Sequence, residues 1–178
     1  MMRSVRIVLC CAMTVAFLAA PAHSAAGQTS PDKDKSDGAA PVSTLEKQFF
    51  QAIRAGDAQK VLSYVSKGGV NLGSDGQHAS QEAIEQEFVA HRGLYCKLFD
   101  SSCIQAPIDL TNSARVCSYR DLLTHPKEAR TAASAMTRNS VRQAVLVARI
   151  KNDVCPNQNL IDFVFNLQAD GWKLFSIP

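Results

Sequence analysis

Alternating apolar residues near the end of the chain form its clearest pattern. They recur at every second position, the spacing of one face of a β-strand, and are Ile161, Phe163, Phe165 and Leu167. Asp170-Gly171 follows, and a second apolar run begins at Trp172. Because glycine reaches positive φ without a Cβ clash, Asp-Gly between two such runs predicts a tight β-hairpin. The apolar face of this hairpin requires a second layer of structure.

Two earlier segments have helical periodicity and can supply that layer. Ser43 and Glu46 have the spacing of a capping box, in which side chains satisfy backbone N–H groups at a helix start. Apolar residues then follow at helical intervals, namely Leu45, Phe49, Phe50 and Ile53. Gly56 suits the end of this helix, and Asp57 is a candidate N-cap for a second one that extends to Val65.

The middle of the chain alternates further helices with strands. Ser80 is a candidate N-cap for a third helix, which reaches Leu98 if it tolerates Gly93. Residues 119–123 suggest a helical turn. Strands are predicted at 70–72, 114–117, 129–136 and 143–150, the last being the most apolar and β-branched. Helices followed by a run of antiparallel strands predict an α+β fold, with helices packed on one face of the sheet.

The N-terminal residues have the pattern of an export signal. Arg3 and Arg6 form a positive region before the apolar run 7–20, and small residues follow, so cleavage is expected after Ser24 or Ala26. The run is too short for a membrane-spanning helix of about 20 residues, although a retained anchor is the alternative. Residues 25–42 are polar and small, which predicts a disordered linker. We therefore expect a single exported domain at 43–178, either periplasmic or secreted.

Removal of the signal brings the charge close to neutral. The chain has 19 basic and 16 acidic residues, and the signal contains only two of the basic ones. The mature chain, residues 25–178, therefore has 17 basic and 16 acidic residues and a net charge of +1. No basic patch interleaved with aromatic residues is present, so nucleic-acid binding is not predicted.

Four cysteines remain after the signal, namely Cys96, Cys103, Cys117 and Cys155. An even number in an oxidising compartment predicts disulfides, and three connectivities are possible. We favour Cys96–Cys103 as a local bridge and Cys117–Cys155 as a longer one. The C-x-x-C spacing of redox sites and the paired spacing of zinc sites are both missing.

Several segments together resemble one known superfamily. Residues 49–52 (FFQA), 56–58 (GDA) and 170–174 (DGWKL) look like the nuclear transport factor two-like superfamily, which includes SnoaL-like and ketosteroid-isomerase-like proteins. The resemblance covers residues 45–178. It implies a curved antiparallel sheet wrapped around helices into a cone, often with an apolar pocket. The superfamily contains enzymes and binding proteins, so the fold does not settle the function.

The resemblance implies where to look for catalytic groups. Active members place an Asp, His or Tyr inside the cone, and Asp100 is a candidate because it follows an apolar segment that would bury it and raise its pKa. The favoured interpretation, however, is that Asp100 caps the turn at residues 101–102. His91 is a candidate base near Tyr95, although a place at the core edge or on the surface is the favoured interpretation. No histidine pair has ligand spacing, so no metal site or other cofactor is predicted.

Two functions therefore follow from the sequence. The favoured one is non-catalytic binding of a small apolar ligand or an envelope protein, with Phe163, Phe165 and Trp172 as candidate pocket residues. The alternative for these aromatic residues is a place in the core. The second function is an isomerase or hydrolase of the SnoaL-like kind, with Asp100 or His91 transferring a proton. No membrane segment is predicted once the signal is removed.

Overall fold

The computed structural model describes residues 40–73, 75–104 and 116–177. The helices in these ranges are α1 Val42–Ala55, α2 Ala58–Leu62, α3 Gln81–Val89, α4 Leu94–Phe99 and α5 Tyr119–Thr124, with a 3-10 turn at Ser101–Cys103. The strands are β1 Val70–Leu72, β2 Gln77–Ala79, β3 Glu128–Arg138, β4 Val141–Lys151, β5 Leu160–Gln168 and β6 Gly171–Ile177. The predicted signal peptide, linker residues 25–39 and residues 114–115 of a predicted strand lie outside the described residues.

The strands form one sheet in the order β2-β1-β6-β5-β4-β3. Neighbouring strands are antiparallel except β1 and β6, which are parallel. The helices pack on one face of this mostly antiparallel sheet, so the predicted α+β class is confirmed. Residues 116–117 are not in a strand.

The first two helices differ from the prediction at their ends. The N-cap of α1 is Pro41 and no side chain caps this end, so the predicted capping box at Ser43 is wrong. Gly56 ends the helix in the left-handed conformation, at φ 71°, as glycine favours. Asp57 caps α2 by accepting a hydrogen bond from the Lys60 N–H at 2.9 Å. Val65 lies beyond α2, where it forms a β-bridge to Leu174.

The predicted third helix is two helices. Ser80 caps α3 as expected, with its hydroxyl accepting from the Ala83 N–H at 3.2 Å. The chain then turns at His91 and Gly93, whose φ values are 49° and 54°, so the helix does not continue to Leu98. The carboxylate of Glu87 accepts from the Leu94 N–H at 2.7 Å and holds the start of α4.

Two tight hairpins join the last four strands. The β5–β6 hairpin is confirmed, although Ala169 and Asp170 form its loop and Gly171, at φ 107°, begins the return strand. The β3–β4 hairpin was not predicted. Asn139 and Ser140 form its loop, both with positive φ, which matches the twist of the flanking strands.

The core lies between the helices and the inner face of the sheet. Phe49 of α1 is at its centre, with its ring 4.8 Å from that of Phe163 and 4.9 Å from that of Phe165. Both contacts are edge-to-face, the geometry that aromatic quadrupoles favour. Alternate residues of β4 complete the inner face, namely Ala144, Leu146, Ala148 and Ile150. Burial of this alternating set in the core therefore fixes the register of the sheet.

Candidate functional site

A cleft of about 580 Å³ lies beside α4, next to both disulfides. Its apolar lining includes Ile104, Val116, Leu122, Leu160 and the ring of Tyr119. Three of the four bridged cysteines also line it, namely Cys96, Cys103 and Cys117. Its polar lining is Glu87, Arg92, Lys97, Asn157, Gln158 and Asn159. Its volume lies in the usual range for small-molecule sites, roughly 300–1,000 Å³.

The two disulfides connect the walls of this cleft. Cys96–Cys103 joins α4 to the 3-10 turn that follows it, with 5.5 Å between the Cα atoms. Cys117–Cys155 joins the residues before α5 to the β4–β5 loop, with 6.2 Å between the Cα atoms. This is the pairing that the sequence analysis favoured. Each bridge restricts the relative movement of two segments that contribute to the lining.

Gln158 makes a second connection across the same wall. Its side-chain oxygen accepts from the Cys117 N–H at 2.6 Å, and its side-chain nitrogen donates to the Cys117 carbonyl at 3.1 Å. Asn152 fixes the other end of the loop, because its oxygen accepts from the Val154 and Cys155 N–H groups. The β4–β5 loop is therefore held by side-chain amides as well as by sulfur.

Lys97 and Tyr119 form the main titratable pair of the cleft. The ammonium of Lys97 lies 5.7 Å from the centre of the Tyr119 ring, within range of a cation–π interaction. Burial lowers the pKa of Lys97, because desolvation disfavours its charged form. Burial raises the pKa of Tyr119, and the negative charge of Asp162 raises it further. The phenol therefore stays protonated at neutral pH.

Asp100 has a structural role at the end of α4. Its carboxylate accepts from the Ser102 N–H at 2.9 Å and from the Ser102 hydroxyl at 2.7 Å, so it caps the 3-10 turn. The hydrogen bonds from the Ser102 hydroxyl and N–H lower the pKa of Asp100. The favoured interpretation of Asp100 as the cap of this turn is therefore confirmed, and the raised pKa of the catalytic interpretation is wrong. The side chain is absent from the lining of the cleft.

His91 is exposed in the turn between α3 and α4. Its ring stacks on Tyr95 with 4.2 Å between the centroids and 6° between the planes. Stacking of this kind fixes the imidazole against the surface of α4, and His91 does not line the cleft. The structure therefore brings neither candidate proton-transfer group into this site.

The aromatic candidates are separated from the cleft as well. Phe163 and Phe165 are fully buried in the core, and neither belongs to the lining. The ring of Phe163 lies 5.7 Å from that of Tyr119, so it supports the cleft from behind. Trp172 lines a different depression, where its indole N–H donates to the Ala40 carbonyl at 2.8 Å.

The described residues contain neither a candidate metal cluster nor a membrane-spanning helix. Within 40–73, 75–104 and 116–177, no group of three or more His, Cys, Asp or Glu side chains is placed to hold a metal ion. No helix in this part of the chain is long and apolar enough to cross a membrane.

Comparisons with known proteins give one structural likeness. No protein-family model matches the sequence, and no curated protein matches it. A designed NTF2-like protein, whose title begins Rd1NTF2_05, is similar in structure at 14% sequence identity and a TM-score of 0.41. The match covers 76% of this chain and 92% of that chain.

Proposed function

We propose that this domain binds a small ligand with an apolar body in the cleft between its disulfides, without catalysing a reaction on it. The composition of the walls carries the proposal. Aliphatic side chains from residues 104, 116, 122 and 160 and cysteines of both disulfides line the same cleft as Lys97, which is half-buried. Sites for small molecules typically combine a mainly apolar lining with a few placed polar groups.

The charge of Lys97 indicates which class of ligand the cleft would bind. Arg92 lines the same cleft, and Glu87 is the one carboxylate among the described lining residues, so the charged lining is net positive. A carboxylate or sulfonate on the ligand would be attracted to this positive charge. A ligand with one anionic end and a hydrocarbon or aromatic body therefore matches the cleft better than a neutral polar one. Each buried methylene of such a body contributes about 0.8 kcal/mol.

The positions of the titratable groups favour binding over catalysis. Asp100 and His91 lie outside the lining, and the raised pKa of Tyr119 makes its phenol a poor base at neutral pH. The exported location remains part of this proposal. Two disulfides are consistent with an oxidising compartment, whereas the signal in residues 1–24 and an envelope protein as partner stay predictions.

A fluorescent probe of the matching chemistry tests the proposal. Anilinonaphthalene sulfonate has an aromatic body and a sulfonate, and its emission rises in an apolar site. Leu160→Trp should narrow the cleft and raise the dissociation constant of the probe about tenfold or more, a loss of about 1.4 kcal/mol. Lys97→Met keeps the alkyl stem but removes the charge, so it should weaken binding of the sulfonate while neutral analogues bind as before.

Val141→Trp is the matched control. Val141 is 38% exposed and Leu160 is 54% exposed, so both positions accept a larger side chain at the surface. Val141 lies eight residues along β4 from Arg149, the partner of Leu160, which is about 27 Å at strand rise. The control should bind the probe like the parent. If Leu160→Trp bound the probe as tightly as the parent, the cleft would not be the binding site.

A further inference from the structure

The strand β3 lies at one end of the sheet and pairs only with β4 among the described strands. It has 11 residues, and all are exposed except Ala133, which is half-buried. Its central seven residues, 131–137 (TAASAMT), contain neither a charged residue nor proline. Natural edge strands usually carry such residues, since they prevent pairing with another chain. The centre of this edge therefore lacks the usual protection.

The ladder of the sheet shows which backbone groups of β3 face outward. The Ile150 N–H donates to the Asn159 carbonyl at 2.9 Å, so the backbone of Ile150 faces the β5 side. Hydrogen-bonding direction alternates along an antiparallel strand, so odd-numbered residues of β4 face β3. Their partners are the even-numbered residues of β3, for example Ser134 opposite Val145. The odd-numbered residues of β3 therefore direct N–H and C=O away from the sheet, and these are Ala129, Thr131, Ala133, Ala135 and Thr137.

We propose that a second copy of this chain pairs with β3 as an antiparallel strand, about a two-fold axis through Ala133. Ala133 is the midpoint of the 11-residue strand, so this register pairs the whole of one β3 with the whole of the other. It is also an outward-facing residue, so the two copies exchange both hydrogen bonds at the axis. The interface is isologous, as a closed dimer requires.

The charges at the ends of β3 select this register. With the axis at Ala133, Glu128 of one copy lies opposite Arg138 of the other, and the symmetry creates this ion pair twice. An axis moved to Ser134 places Arg130 opposite Arg138, which is repulsive. An axis moved to Ala132 leaves Glu128 opposite Met136 with no ion pair. Among these three registers, opposite charges meet at both ends only when the full strands overlap.

The side chains along the strand leave room for a neighbour. The central residues are alanine, serine and threonine apart from Met136, so no bulky side chain obstructs a strand at the usual spacing of about 4.8 Å. The pairing would join two six-stranded sheets into one of twelve strands. The cleft beside α4 is lined by none of the residues of β3, so ligand binding and dimer formation are separate properties.

Charge reversal tests the register. Arg138→Glu should place Glu128 against a second carboxylate at both ends and raise the dimer dissociation constant at least about tenfold. Glu128→Arg should weaken the dimer similarly, although it also removes the contact of Glu128 with Arg130 at 3.0 Å in its own chain. The double variant Glu128→Arg/Arg138→Glu restores opposite charges across the axis and should recover most of the lost affinity. Sedimentation equilibrium across the micromolar range measures all four proteins.

Proline substitution tests the edge itself. Ala135→Pro removes an outward N–H and leaves the β3–β4 ladder intact, so it should give a monomer with a native circular dichroism spectrum. Ala135→Ser keeps the N–H and should remain dimeric. A parent that is monomeric throughout the micromolar range would overturn the proposal. A dimer that persists in both Ala135→Pro and Arg138→Glu would do the same, because its interface would lie on another surface. If Ala135→Pro fails to fold, the dimer dissociation constant of Arg138→Glu still tests the proposal.

Discussion

Loss of the Cys117–Cys155 bridge should destabilise the domain more than loss of Cys96–Cys103. The perturbation replaces both cysteines of a bridge by alanine, so that no free thiol remains to form a new disulfide. The two double variants remove the same number of sulfur atoms. The first bridge spans 38 positions of sequence and the second spans seven, so they differ mainly in the length of the closed loop.

The magnitudes follow from the entropy that a cross-link removes from the unfolded chain. The chain-entropy relation gives about 3.9 kcal/mol for a loop of 38 residues and about 2.4 kcal/mol for one of seven. The expected difference is therefore about 1.5 kcal/mol. Packing acts in the same direction, because Cys155 is buried whereas Cys103 is half-buried. In the variant without Cys117–Cys155, the side chain of Gln158 still bonds the backbone of residue 117, and this contact limits local opening of the β4–β5 loop.

Urea unfolding of the parent and both variants, followed by far-ultraviolet circular dichroism, gives the free energies. The free energy of unfolding should fall most steeply with urea concentration in the variant without Cys117–Cys155, because its unfolded chain is no longer cross-linked there and exposes more surface. A mass spectrum of each protein confirms which bridges are present. Equal losses in the two variants, or a larger loss without Cys96–Cys103, would refute the reasoning from loop length.

Two further predictions concern backbone geometry and pH. Gly69→Ala and Gly76→Ala both place a side chain at positive φ, which costs about 1–2 kcal/mol, but only the Cβ at Gly69 would overlap the Ala79 carbonyl oxygen. Gly69→Ala should therefore cost about 1–3 kcal/mol more in urea unfolding, and equal costs would contradict the observed close approach of β1 and β2. The raised pKa of Tyr119 means that the unfolded state loses the phenolic proton first, so stability should fall as pH rises above 10.0. Tyr119→Phe should lose less stability than the parent over that alkaline range, and parallel pH profiles would show that this phenol is not responsible.

Local patterns in the sequence predicted most of the fold. The stripe of α1, the caps at Asp57 and Ser80 and the β5–β6 hairpin each depend on residues only a few positions apart. The parallel pairing of β1 with β6 joins residues about a hundred positions apart, and no periodicity encodes it. The β3–β4 hairpin was missed because Asn139-Ser140 lacks the glycine that usually marks such a loop.

The cleft was harder to predict than the fold. Its lining comes from three separate segments, near residues 87–104, 116–122 and 157–160, which tertiary structure brings together. Asp100 follows an apolar run, but the backbone leaves the helix at that residue and its carboxylate turns to Ser102. The cysteines were the one usable signal, since the favoured Cys117–Cys155 bridge brings the second segment close to the loop that contains the third, whereas Cys96–Cys103 lies within the first. Lys97 and Tyr119 carry no motif that marks them as neighbours.

The position of β6 determines when the domain can be completed during its synthesis. This strand follows every other described element in the chain, yet it lies between β1 and β5 in the sheet. The indole N–H of its Trp172 also donates a hydrogen bond to the carbonyl of Ala40, which lies just before α1. A nascent chain that lacks β6 therefore has β1–β2 on one side, β3–β5 on the other and no strand to join them. Ribosomes add about 5–20 residues per second. The sheet therefore stays divided until residue 177 has emerged and β6 can pair with β1 and β5.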